Sequence, residues 1–76
     1  MTRLPRVSGN EIVKYLVNRK GFRISHVKGS HVRLKSGDRS VTVPLHEELS
    51  PGVLLSILEQ AGIERDEFLR DWKEGI

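Results

Sequence analysis

Residues 22–43 read FRISHVKGSHVRLKSGDRSVTV, and the fold turns on how this stretch pairs with itself. Three short runs rich in β-branched or aromatic residues, Phe22 to Val27, His31 to Lys35 and Arg39 to Val43, are separated by glycine-containing turns. They predict an antiparallel meander. Residues opposite one another in an antiparallel ladder share a face, so alternation fixes the register. Pairing Leu34 with Val41 and Val32 with Val43 leaves Gly37-Asp38 as a two-residue turn with glycine first, which suits a type II′ hairpin. The first hairpin is less determined. Keeping Phe22, Ile24 and His26 on the Val32 and Leu34 face requires an odd loop such as Lys28-Gly29-Ser30, whereas a two-residue Lys28-Gly29 loop puts Ile24 opposite Arg33. The odd loop is the expectation. One face then carries Phe22, Ile24, Val32, Leu34, Val41 and Val43, and the other carries Arg23, Ser25, His31, Arg33, Lys35, Ser40 and Thr42. His31 starts the second strand on a basic face, and His26 ends the apolar row.

Helical signals flank the meander. Ser8 and Glu11 have the spacing of a capping box, Ile12, Val13, Leu16 and Val17 recur with helical period, and Gly21 is placed to end the helix, which runs from about 9 to 20. Its solvent side carries Lys14, Arg19 and Lys20. Beyond Pro44 to Leu49, Ser50 offers a second N-cap, Pro51 occupies the first helical position, and Leu54, Ile57, Leu58 and Ala61 form a stripe that Gly62 ends. Phe68, Leu69 and Trp72 predict a short third helix from about Arg65 to Glu74, its stripe packed into the core. The order α-β-β-β-α-α is an α+β domain spanning 1–76, with the helices on one face of a three-stranded antiparallel sheet.

The 76 residues include no cysteine, 37% are hydrophobic and 30% are charged, a globular composition that leaves stability to core packing or to a partner. A net charge of +3 hides a division. Residues 1–40 hold ten Lys/Arg against two Asp/Glu, a charge of +8, while residues 41–76 hold three against eight, a charge of −5. The basic half suits a phosphate-rich partner, although the same charges also serve to solvate two faces. No stretch approaches the roughly 18 apolar residues of a membrane span, and the start lacks a signal peptide's apolar segment, so a cytoplasmic protein without membrane contact is expected.

Of the three histidines, His31 is the one on the basic face. His46 lies just past the third strand, since His31 pairs roughly opposite Pro44, and reads as a solvated loop residue or a second proton carrier. His26 reads as a partly buried histidine at the core's edge. Their spacing, with no cysteine near, does not suit a metal site, and no motif calls for a cofactor.

The α-β-β-β-α order resembles the double-stranded RNA-binding domain. The segments Lys28-Gly29-Ser30-His31, Val41-Thr42-Val43-Pro44-Leu45-His46, Leu49-Ser50-Pro51-Gly52-Val53-Leu54 and Ile57-Leu58-Glu59-Gln60-Ala61-Gly62-Ile63 together resemble the HicA toxins. The likeness runs from Ser8-Gly9 to about Leu69, with Val53 and Glu64 departing from the usual small polar residues. It implies the toxin of a type II toxin–antitoxin system, a ribosome-independent mRNA interferase held silent by a HicB-type antitoxin, with His31 as catalytic residue. RNA supplies its own 2′-OH nucleophile, so cleavage needs positioning, proton transfer and charge stabilisation, and an imidazole with cations around it offers these without a metal. Lys28, Arg23, Arg33 and Lys35 are then the phosphate-holding residues, Gly29 permits close approach of the turn, and Ser30 can hydrogen-bond a phosphate or orient the ring. His46 is the candidate second acid/base. Two other readings use the same residues: a noncatalytic double-stranded-RNA-binding module, and a protein-interaction domain with an acidic C-terminal half.

Overall fold

The structure, a computed structural model, describes residues 4–75. Helix α1 (Gly9–Lys20) is followed by strands β1 (Arg23–Lys28), β2 (His31–Ser36) and β3 (Arg39–Pro44), then α2 (Pro51–Ala61) and α3 (Arg65–Glu74). The strands form one antiparallel sheet in the order β1-β2-β3, so the expected α+β arrangement is the observed one. Local chemistry sets the element ends. The Ser8 hydroxyl accepts from the Glu11 N–H (3.1 Å) and the Glu11 carboxylate accepts from the Ser8 N–H (2.9 Å), completing the capping box. The Ser50 hydroxyl accepts from the Val53 N–H at 3.3 Å, while Glu64 precedes α3 without a side-chain cap.

The sheet contributes Val32, Leu34, Val41 and Val43 to a single core, where they meet Ile12, Tyr15 and Leu16 of α1, Leu54, Ile57 and Leu58 of α2, and Phe68 of α3. Tyr15, Phe68 and Trp72 pack as an aromatic trio with ring centroids 5.2 to 6.2 Å apart, which seats α3 on α1. Gly9 is where α1 meets the end of β3. A Cβ there would collide with the Pro44 carbonyl oxygen and lie 2.8 Å from the Leu45 Cα, so this junction admits only glycine.

The second hairpin has the expected register, with Leu34 opposite Val41 and Val32 opposite Val43 across Gly37-Asp38. The first hairpin departs from expectation. Lys28 pairs with His31, so the loop is Gly29-Ser30, with Gly29 at φ 58° and Ser30 at negative φ, the same glycine-first turn as at Gly37-Asp38. A bulge between Ile24 and His26 absorbs the one-residue offset, and Ile24 still stands opposite Leu34. His26 therefore does not end the apolar row. It stands opposite Arg33 and is exposed, while Val27 takes the core-side position opposite Val32. The core-side residues of β1 are left open: Ile24 is 51% exposed and Val27 55%, against 0% for Leu34.

Candidate functional site

On the sheet face away from the helices, the register lays out three cross-strand rows. Lys28, His31 and Pro44 form the first, His26, Arg33 and Thr42 the second, and Arg23, Lys35 and Ser40 the third. His31 thus pairs opposite Pro44 as the sequence suggests. Residues of the first two rows close a depression of about 170 Å³, lined by His26, Lys28, His31, Arg33 and Thr42. Among the described residues, no carboxylate lines it. A larger cavity of about 530 Å³ lies elsewhere, between the segment before α1 and the start of α2, where Leu4, Pro5, Leu49, Pro51 and Leu55 set an apolar character and no histidine is present.

The end of the depression at His31 is held by backbone contacts from outside the sheet. The Ser30 carbonyl accepts from the Leu45 N–H at 2.6 Å, and the His46 carbonyl accepts from the Gly9 N–H at 2.9 Å. The tight turn is therefore tied to the segment after β3, and that segment to the first turn of α1. The opposite wall depends on the bulge, which turns His26 and Lys28 to the polar face.

Electrostatically the face is unbalanced. Arg23, Lys28, Arg33 and Lys35 are all exposed, and none forms an ion pair or side-chain hydrogen bond with a described residue. Arg23 stands opposite Lys35, a pairing of like charges that weakens a ladder unless an anion lies between them, and His26 stands opposite Arg33. Three carboxylates of the C-terminal half are engaged elsewhere: Asp71 and Glu74 meet Arg19 at 3.3 Å each, and Lys20 meets Asp71 at 2.9 Å and also Glu67.

Of the sequence-derived candidates, Lys28, His31 and Arg33 line one depression, and Gly29 and Ser30 form the turn that leads into it. Arg23 and Lys35 lie one row further along. His46 is exposed beyond β3 and does not line the depression. His26 does, and the expected odd loop concealed this. The glycine-first preference that identifies the Gly37-Asp38 turn applies equally to Gly29-Ser30. The spacing of three between Ile24 and Val27, both apolar, also signals an extra residue in the strand.

The family model described as HicA toxin of bacterial toxin-antitoxin matches residues 9–63, from the first residue of α1 to just past α2. No match is found among curated proteins or solved structures.

Proposed function

Because the chain belongs to the HicA toxin family, and is thus the toxin of a toxin–antitoxin pair, we propose that it is a ribosome-independent mRNA interferase acting through His31. The observation that carries this reading is His31 in a depression whose cations have no ion-pair partner, and whose lining has no carboxylate, among the described residues. Arg33 and Lys28 hold the non-bridging oxygens of one phosphodiester, and Lys35 and Arg23 hold the neighbouring backbone. The 2′-OH attacks phosphorus in line, the P–O5′ bond breaks, and the ends are a 2′,3′-cyclic phosphate and a 5′-OH. Imidazole changes charge between about pH 5 and 8, so His31 carries one of the two protons that must move. The flanking cations stabilise the phosphorane charge without needing a metal. A HicB-type antitoxin silences such a site most simply by covering the His31 face and setting carboxylates against Arg33 and Lys35.

Inducible expression of the native chain and of His31→Ala, alone and with the antitoxin, tests the reading through growth and mRNA integrity. The native chain arrests growth and cuts mRNA into fragments with cyclic-phosphate ends, the antitoxin restores growth, and His31→Ala is harmless yet folded. Equal toxicity of the two chains, or 5′-phosphate ends, contradicts it. Equal harmlessness with intact RNA binding would instead indicate a noncatalytic RNA-binding module.

A further inference from the structure

We propose that His26 is the second acid/base of this cleavage, acting with His31 on the same phosphodiester. The inference rests on the interferase reading and extends it to a residue outside the Lys28-Gly29-Ser30-His31 motif. Two protons must move on opposite sides of phosphorus. One group takes the proton from O2′ as the O2′–P bond forms, and the other gives a proton to O5′ as the P–O5′ bond breaks. The proton gained by one imidazole equals the proton lost by the other, so the pair ends with its protonation exchanged and resets through solvent.

The face offers few groups for the second transfer. The guanidinium and ammonium groups of Arg23, Lys28, Arg33 and Lys35 suit holding phosphate oxygens rather than passing a proton, and the Thr42 hydroxyl suits hydrogen bonding. Among the described residues no carboxylate lines the depression, and His46 stands outside it. His26 remains.

Its position fits the task. His26 pairs with Arg33 and His31 with Lys28, so the two histidines are diagonal neighbours on adjacent strands, with Cβ atoms closer than about 7–8 Å. That gap admits one phosphate, with each imidazole within about 3 Å of the oxygen it serves. Arg33 stands across from His26 and two residues along from His31, where a phosphate lying between the two rings is within its reach. The bulge between Ile24 and His26 is what creates the pair. In an unbroken ladder with Ile24 opposite Leu34, His26 falls on the core side.

The test uses the purified full chain, His26→Ala, His26→Arg and His31→Ala on an RNA oligonucleotide, with the 2′-O-methyl oligonucleotide as an uncleavable binding probe. His26 is exposed, so truncation removes no core contact, and circular dichroism verifies the fold. His26→Ala lowers kcat by at least about 10²-fold and flattens one limb of the bell-shaped pH–rate profile, while affinity for the 2′-O-methyl probe changes by less than about threefold. His26→Arg supplies a fixed positive charge and keeps the affinity but does not restore cleavage. A smaller loss in kcat, a profile with both limbs intact, or full activity in His26→Arg overturns the proposal. If the native chain itself cleaves no RNA, the interferase reading falls. If the native chain cleaves, His31→Ala does not and His26→Ala does, only the pairing falls.

Discussion

Tyr15 has no exposed surface, yet its hydroxyl donates to Asp71 Oδ2 at 2.8 Å, so a core residue is also the anchor of the third helix. Burial, and then the hydrogen bond to Asp71, push its phenol far above the ordinary tyrosine range. Asp71 moves the other way, held below its ordinary value of 3.8 first by the hydrogen bond from Lys20 and then by that from Tyr15. Lys20 is raised above 10.5, chiefly by its hydrogen bond to Glu67. A carboxyl lowered in the folded state stabilises it fully above the ordinary carboxylate range and ceases to do so as pH falls through its native value. For Lys20 and Tyr15 the sign is reversed: their contribution is complete below the ordinary range and is lost as pH rises through the raised values. The melting temperature of the native chain is therefore expected to fall below about pH 4 and above about pH 10 from these groups. Asp71→Asn lowers stability at pH 7 by about 1–3 kcal/mol, because it weakens charge-assisted bonds to both Tyr15 and Lys20, and it also makes the acid decline shallower. Thermal denaturation across pH checks both effects. An unchanged melting temperature at pH 7 in Asp71→Asn would show that α3 is held by its other contacts, with no contribution from Asp71.

At the scale of elements, β1 differs from its neighbours in being a bulged edge strand whose every residue is exposed. Gln60 of α2 reaches the backbone of β3, accepting from the Thr42 N–H at 3.3 Å, but β1 has little covering it beyond its ladder with β2. Core truncation should therefore discriminate between residues that share a face. Leu34→Ala leaves a cavity in the core and costs about 2–5 kcal/mol, while Ile24→Ala, directly opposite, costs less than about 1 kcal/mol. Urea denaturation of the two variants measures the difference, and similar losses would mean that β1 is as firmly packed as β2. The same contrast explains what was legible beforehand. Helix ends and the second hairpin were written in local chemistry: Ser8 with Glu11, Ser50 with Pro51, and Gly37-Asp38 between strictly alternating residues. In β1 both of the local guides failed. Lys28-Gly29-Ser30 is compatible with more than one loop length, and a bulge lets Ile24 and Val27 share a face despite their odd spacing. The odd loop therefore puts His26 at the end of the apolar row, whereas the bulge puts it on the polar face opposite Arg33. The lattice of Arg19 and Lys20 with Glu67, Asp71 and Glu74 was not legible either, since it depends on how α3 docks across roughly fifty residues of chain.

Across the whole molecule, the opposed charges of the two halves of the chain do not cancel where they matter. Much of the acidity of the C-terminal half is spent between α1 and α3, while Arg23, Lys28, Arg33 and Lys35 stand on the far side of the sheet with no described carboxylate paired to them. A polyanion that meets those cations releases counterions, and the logarithm of its affinity falls with the logarithm of salt concentration by about 0.7 for each phosphate neutralised on a single strand. The native chain should accordingly bind a 2′-O-methyl RNA oligonucleotide with a slope near −3, if all four cations are used. Lys35→Ala and Arg23→Ala each reduce the slope by about 0.7 and weaken binding alike for different RNA sequences, because backbone contacts carry no base information. Lys14 is equally exposed but belongs to α1, in the helical layer, and Lys14→Ala should leave the slope unchanged. Fluorescence anisotropy titrations at several salt concentrations separate these cases. Equal slopes for Lys35→Ala and Lys14→Ala would mean that RNA responds to the net charge of +3 rather than to the sheet face, and the depression around His31 would lose its electrostatic reason for being the site.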